Sequence, residues 1–334
     1  MDFFNTMTPS LALPKVLQPR KKIKPYEYPE AAEYAKPIRD SYWTVDHFNF
    51  TKDIQDYEVV LSSAERSAIK RTLLAISQVE VKVKEFWGDL YKKFPKSEFS
   101  IVGSCFAECE GRHMETYSHL LELLGLNEEF DNLMDVPAIA ARVDYISEAM
   151  AHASSQNHQQ YLLTLALFSL FVENVSLFSQ FAIIKSFSKE RNTLRAVDNA
   201  VQATQKEELV HGLFGTYLIN LVKQEAPEWF DDTFYGVVRD ACIKSYKAEL
   251  AIIDWIFEEG ELEFLPKTVL CDFLKNRFNE SVVGIGGEPI FNDVGDLSSL
   301  KWFDEEIRAA VHVDFFAKKS PNYSKVEISS DELF

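Results

Sequence analysis

Cysteine is scarce and scattered: the 334-residue chain has four, Cys105, Cys109, Cys242 and Cys271. Four such thiols make no disulfide framework, and a chain this long can bury a core without one. Glycine is sparse too, at 12 residues. Its tightest group, Gly284, Gly286 and Gly287, follows no strand pattern and reads as a turn rather than a phosphate loop. Positive charge is short, with 35 Lys and Arg against 52 Asp and Glu and a formal charge of −17. That balance repels nucleic-acid phosphates and anionic lipid over most of the surface, so neither is an expected partner. No stretch alternates apolar and polar residues with a period of two, which excludes a sheet-based architecture. Met1–Ser10 contains no charged segment leading into an apolar run with a small-residue cleavage site, so the expected location is the cytoplasm.

What the sequence does have is helical periodicity. Ser62-Ser63-Ala64-Glu65 is a capping box that opens a segment running to about Lys93. A second helix is expected from about Ser97 to Leu124, stopped by Gly125. Further helices are expected near 139–154, 158–187, 190–223 and 231–258, the last stopped by Gly260, with shorter ones near 266–279 and 299–316. The run from Tyr161 to Ile184 is long and apolar enough to imitate a membrane span. Asn174, Ser176, Ser179 and Gln180 interrupt it, so a helix in the middle of a large bundle is the expected reading. The expected organisation is an extended, proline-rich arm over 1–40 with a solvated basic cluster at Arg20, Lys21, Lys22 and Lys24. An all-α domain over 41–318 and a flexible tail over 319–334 follow it.

Two Glu-x-x-His motifs, Glu110-Gly-Arg-His113 and Glu208-Leu-Val-His211, fall on long helices about a hundred residues apart. Residues i and i+3 project from one helix face. The stripe Val102, Phe106, Glu110, His113, Tyr117, Leu120 and Leu124 is apolar at its ends and ionisable in its middle. Val201, Thr204, Glu208, His211, Gly215 and Leu218 form the matching face of the second helix. Glu173 stands alone in its apolar helix, and Glu80 interrupts the stripe Ile69, Leu73, Ile76, Val83 and Trp87. Glu85 falls on a polar face with Gln78 and Lys82 and is the poorer candidate. Buried carboxylates require compensating positive charge, which metal ions provide. One Glu from each of two helices and a Glu-x-x-His from each of two others is the ligand pattern of di-iron and di-manganese bundles. The expected ligands are therefore Glu80, Glu110, His113, Glu173, Glu208 and His211. Four carboxylates and two imidazoles suit iron or manganese better than a closed zinc site.

From about residue 38 onward these motifs resemble the small, radical-generating subunit of class I ribonucleotide reductase, a ferritin-like protein. The resemblance implies a radical tyrosine at Tyr117, four residues after His113, and a relay tryptophan at Trp43 in Ser-Tyr-Trp-Thr-Val-Asp-His-Phe. It implies that Glu207, where the family more usually has Asp, links a metal-bound histidine to that tryptophan. Tyr323 would be the relay tyrosine of a tail that docks on the large subunit, with Asp331-Glu332-Leu333-Phe334 as its anchor. Other departures are Glu80 where many members use Asp, and Leu177 and Thr204 beside the tyrosine. The implied cofactor is two Fe, two Mn or a mixed Mn/Fe pair, with a homodimer and a flavoprotein activator among the implied partners. The implied activity is ribonucleoside-diphosphate reduction for DNA replication, carried out with the large subunit. A stand-alone di-metal oxidase and a ferritin-like storage protein are the rival readings on the same fold.

Overall fold

The computed structural model describes residues 13–307. Among them the architecture is all-α, with one isolated bridge pair, Leu262 and Leu265, in place of any strand. The main helices are α1 (Ser63–Gly88), α2 (Ser97–Leu123), α3 (Pro137–Ala149), α4 (His158–Leu167), α5 (Phe178–Ser186), α6 (Arg195–Glu225), α7 (Asp232–Ile256) and α8 (Lys267–Gly284).

Local chemistry explains most boundaries. The capping box forms as expected: Ser62 Oγ accepts from the Glu65 amide at 3.3 Å, and Glu65 Oε2 accepts from the Ser62 amide at 2.9 Å. Gly125, at φ +68°, ends α2, and the Leu126 amide closes back onto the Leu121 carbonyl at 2.8 Å. Gly260, at φ +138°, lies beyond α7. The expected start of α6 near 190 shifts to Arg195 because Asn192 and Leu194 both adopt left-handed conformations. Asp53 Oδ1 then accepts from the amides of Ala196 and Val197 at 2.9 and 3.1 Å, an N-terminal cap supplied from another part of the chain.

The expected helix over 158–187 divides into α4, a π-helical segment (Phe168–Ser176), α5 and a π-helical turn (Phe187–Arg191). Over 158–191 it is the one helix among the described residues long and apolar enough to cross a membrane, and 89% of its window is buried inside the fold. The core centre explains that apolarity. The π segment lies close against α6: a Cβ at Gly212 would collide with the Asn174 side chain, and one at Gly215 with Ser169 Oγ.

One expectation needs correction. Residues 13–40 are not an extended arm but lie on the bundle with helical turns at Lys15–Leu17, Pro29–Ala32 and Ala35–Asp40. Val16, Leu17, Tyr28, Ala31, Ala35 and Ile38 are buried. Glu225 accepts from the Val16 amide at 2.8 Å and from the Tyr28 hydroxyl at 2.6 Å. Proline misleads here because it is well tolerated in a first helical turn, as at Pro29. Within the basic cluster, Lys21, Lys22 and Lys24 are exposed, whereas Arg20 turns inward toward Glu27 and Glu98.

Candidate metal centre

Four helical segments deliver the expected ligands to one place. α1 brings Glu80, α2 brings Glu110 and His113, the π segment brings Glu173, and α6 brings Glu208 and His211. None of the six is more than 3% exposed. They form two four-residue groups, Glu80–Glu110–His113–Glu208 and Glu110–Glu173–Glu208–His211, in each of which the donor atoms lie within 4.8 Å of one another. Glu110 and Glu208 belong to both groups, one oxygen toward each histidine. Glu208 Oε1 is 2.9 Å from His113 Nδ1 and Oε2 is 3.4 Å from His211 Nδ1. Glu110 Oε2 is 3.5 Å from His113 Nδ1 and Oε1 is 3.0 Å from His211 Nδ1.

These approaches lack hydrogen-bond geometry. Both oxygens of Glu80 and Glu110, Glu208 Oε1, and Nδ1 of both histidines are buried without a hydrogen-bond partner. Such orphaned groups are costly unless something else satisfies them. A pair of cations between the histidines meets that need, so the residues fit a dinuclear metal site. Without cations, burial pushes the Glu80 and Glu173 carboxyls well above the ordinary range, and repulsion from neighbouring carboxylates adds to it. Burial also pushes against Glu208, but the close approach of the two flanking histidines outweighs it and holds that carboxyl low.

Around this cluster lies a set of buried aromatic and polar groups. Trp43 donates its indole N–H to Glu207 Oε2 at 3.0 Å, and His113 Nε2 meets the same oxygen at 2.8 Å. The Trp43 and His113 rings stack with 15° between planes. Tyr117 is 1% exposed, and neither its hydroxyl nor Thr204 Oγ1 beside it has a hydrogen-bond partner. Burial, and then the charge of Glu80, push the phenol upward, so it stays protonated. Leu177 is also buried.

Three neighbours escaped the sequence reading as functional groups. Trp87 donates to Glu173 Oε1 at 2.9 Å, leaving Oε2 to face His211 at 3.4 Å. Arg112 forks onto Glu207, and Cys109 Sγ lies 3.5 Å from His113 Nε2. The available signals were an indole seven residues after Glu80 on its own stripe, and a cation inside the first Glu-x-x-His. The Val83 and Glu85 side chains, Tyr323, and the expected anchor Asp331–Phe334 lie outside the described residues.

A ferritin-like helical bundle with a central carboxylate–histidine cluster able to hold two metal ions is the class that fold and site define. The family description "Ribonucleotide reductase, small chain" matches residues 20–296, and the chain belongs to this family. It is 22% identical to a probable ribonucleoside-diphosphate reductase small subunit of Invertebrate iridescent virus 3, over 98% of this chain and 90% of that protein. Its fold matches the ribonucleotide reductase R2 subunit from Clostridium botulinum with a TM-score of 0.77 at 15% identity, covering 84% of this chain and 89% of that one. It also matches an R2-like ligand-binding oxidase with an Mn/Fe cofactor, with a TM-score of 0.67 at 17% identity, covering 79% of this chain and 94% of that one.

Proposed function

We propose that Glu80, Glu110, His113, Glu173, Glu208 and His211 hold two metal ions, with Glu110 and Glu208 shared between them. We propose further that the chain generates the oxidising equivalent its large-subunit partner uses to reduce ribonucleoside diphosphates. The observation that carries the reading is the pair of four-residue groups with two carboxylates in common. A bound pair of redox metals supplies an oxidant able to take electrons from nearby side chains. The residues around it do the rest. The carboxylates provide negative charge at a site closed to water, and Glu207 fixes His113 through its Nε2, leaving Nδ1 for metal. Tyr117 is a buried phenol suited to giving up one electron, with Glu80 the carboxylate that acts on it most strongly. Trp43 offers a second oxidisable ring, joined to His113 through Glu207.

In this reading the bundle over 41–318 is the di-metal domain, and 319–334 is the tail that carries Tyr323 and docks on the large subunit. The metal pair is two Fe, two Mn or Mn/Fe, with a flavoprotein activator where the metal needs a reduced oxygen species, and the protein works as a homodimer in the cytoplasm. Deleting 312–334 should abolish large-subunit binding and nucleotide reduction while leaving metal content intact. Activity surviving that deletion would overturn the relay reading in favour of a stand-alone oxidase. Tyr117→Phe should keep both metals and lose any tyrosyl signal in electron paramagnetic resonance of the activated protein. A signal unchanged in that variant removes Tyr117 from the mechanism.

A further inference from the structure

We infer that Arg112 is a positioning residue for electron transfer through Trp43, because it holds Glu207 so that a single carboxylate oxygen joins the indole to His113. The inference rests on the proposed relay role of Trp43. Arg112 is 4% exposed and all three of its guanidinium nitrogens donate. Nη2 donates to Glu207 Oε1 at 3.0 Å, and Nη1 donates to the Trp43 carbonyl at 3.2 Å and to Glu207 Oε2 at 3.4 Å. Nε donates to Glu108 at 3.1 Å. The plane also lies over the Trp43 ring, 5.0 Å from its centroid, and 4.8 Å from that of Tyr42.

The consequence is a division of labour within one carboxylate. With Oε1 occupied by Arg112, the Trp43 and His113 N–H groups both fall on Oε2, at 3.0 and 2.8 Å. Glutamate has one more rotatable bond than aspartate. A Glu207 free to turn would present either oxygen to either donor, and the single-atom junction would be lost. Arg112 removes that freedom from two sides, since the same guanidinium grips the backbone of Trp43 itself. Its charge also helps to balance the buried carboxylate. Lysine cannot substitute, because one ammonium lacks the fork that spans two carboxylate oxygens and a carbonyl.

With an oxidised metal pair held at the cluster, Trp43 would give up one electron toward it. Its indole proton stays in the hydrogen bond to Glu207 Oε2, and the large-subunit side returns one electron to Trp43. No bond is made or broken in the carboxylate.

The test uses the full-length chain with Arg112→Met and Arg112→Lys, and Trp43→Phe as reference. The first readout is the Trp43 indole N–H resonance of the metal-free protein, assigned among the chain's five tryptophans by its absence in Trp43→Phe. Both Arg112 variants should move it toward the position of a weakly bonded indole. The second is the rate of Trp43 oxidation after oxygen meets the reduced, metal-loaded protein. It should fall at least about tenfold in Arg112→Met, the loss expected for one charge-assisted hydrogen bond, with metal content unchanged. Arg112→Lys retains charge and carries the test should the methionine variant fail to fold. Wild-type resonance and rate in the Arg112 variants, with nucleotide reduction still lost in Trp43→Phe, overturn the role of Arg112 alone. Unimpaired nucleotide reduction by Trp43→Phe with the large subunit overturns the relay reading itself.

Discussion

Replacing Glu173 with glutamine separates what this carboxylate does for metal from what it does to the fold. Trp87 donates to Glu173 Oε1 at 2.9 Å. A glutamine carbonyl accepts the same N–H, whereas alanine would orphan it at a cost of about 1–3 kcal/mol. What glutamine removes is a buried negative charge. In the metal-free protein that charge is unfavourable, because burial, then repulsion from Glu208 and Glu110, raise the Glu173 carboxyl well above its ordinary value of 4.5. The folded chain therefore keeps a proton that the unfolded chain has released. Stability contributed this way is present in acid and is lost as pH rises through the raised value, at about 1.4 kcal/mol per pH unit for one group. Glutamine has no such titration. Metal-free Glu173→Gln should match the wild type in acid and exceed it at neutral pH and above, measured as urea midpoints. With metal the sign reverses. The group Glu110–Glu173–Glu208–His211 is left short of a ligand while Glu80–Glu110–His113–Glu208 is untouched, so metal content should fall by about one ion per chain. Full occupancy by elemental analysis, or a metal-free variant less stable than wild type at neutral pH, refutes the reasoning.

The remaining predictions concern the scaffold behind the site. Arg142 and Glu249 are fully buried and paired, and Arg142 also donates to the carbonyls of Ala75 and Ser176, at 3.0 and 3.2 Å, tying α1 to the end of the π segment. Arg142→Met should cost about 3–5 kcal/mol by leaving Glu249 without its cation; a urea-derived loss below about 1 kcal/mol contradicts this. Gly212→Ala should cost roughly 1–3 kcal/mol by forcing the Asn174 side chain away and should weaken metal retention through the adjacent Glu173. Gly236→Ala, with open space around the position, is the control and should leave the midpoint unchanged or slightly raised.

Most of the bundle was legible because each helix carries its own stripe, cap or stop. The Ser62–Glu65 box, the Gly125 stop and the two Glu-x-x-His pairs are all encoded within a few residues of where they act. What escaped depends on partners distant in sequence. The start of α6 is set by Asp53, 143 residues before Ala196, which no local pattern announces. The helical path of residues 13–40 depends on Glu225 and Glu98 supplying acceptors. The π segment was equally hidden: an apolar run has the same composition whether its turns are α or π, and close seating against Gly212 and Gly215 appears only when the helices are side by side. Trp87 and Arg112 resemble an ordinary core indole and an ordinary helix cation until Glu173 and Glu207 are placed opposite them.

Charge balance sharpens the choice of two ions rather than one. The four carboxylates Glu80, Glu110, Glu173 and Glu208 share the cluster with two imidazoles, while Arg112 is committed to Glu207 outside it. One divalent cation would leave half of that negative charge uncompensated in a site closed to water, a state that burial opposes strongly. Two divalent cations would cancel it with neutral imidazoles, and His113 Nδ1 and His211 Nδ1 would each be free to hold one. Cancellation holds only for that oxidation state. Each electron removed from a bound pair would add a positive charge that the fixed carboxylates cannot match. In the proposed function, the neighbouring groups that would restore balance by giving up an electron are Tyr117, a buried phenol under the charge of Glu80, and Trp43, bonded through Glu207 to His113. The carboxylate count that fits two reduced metals would thus, in the proposed function, also favour drawing an electron from these neighbours once the pair is oxidised.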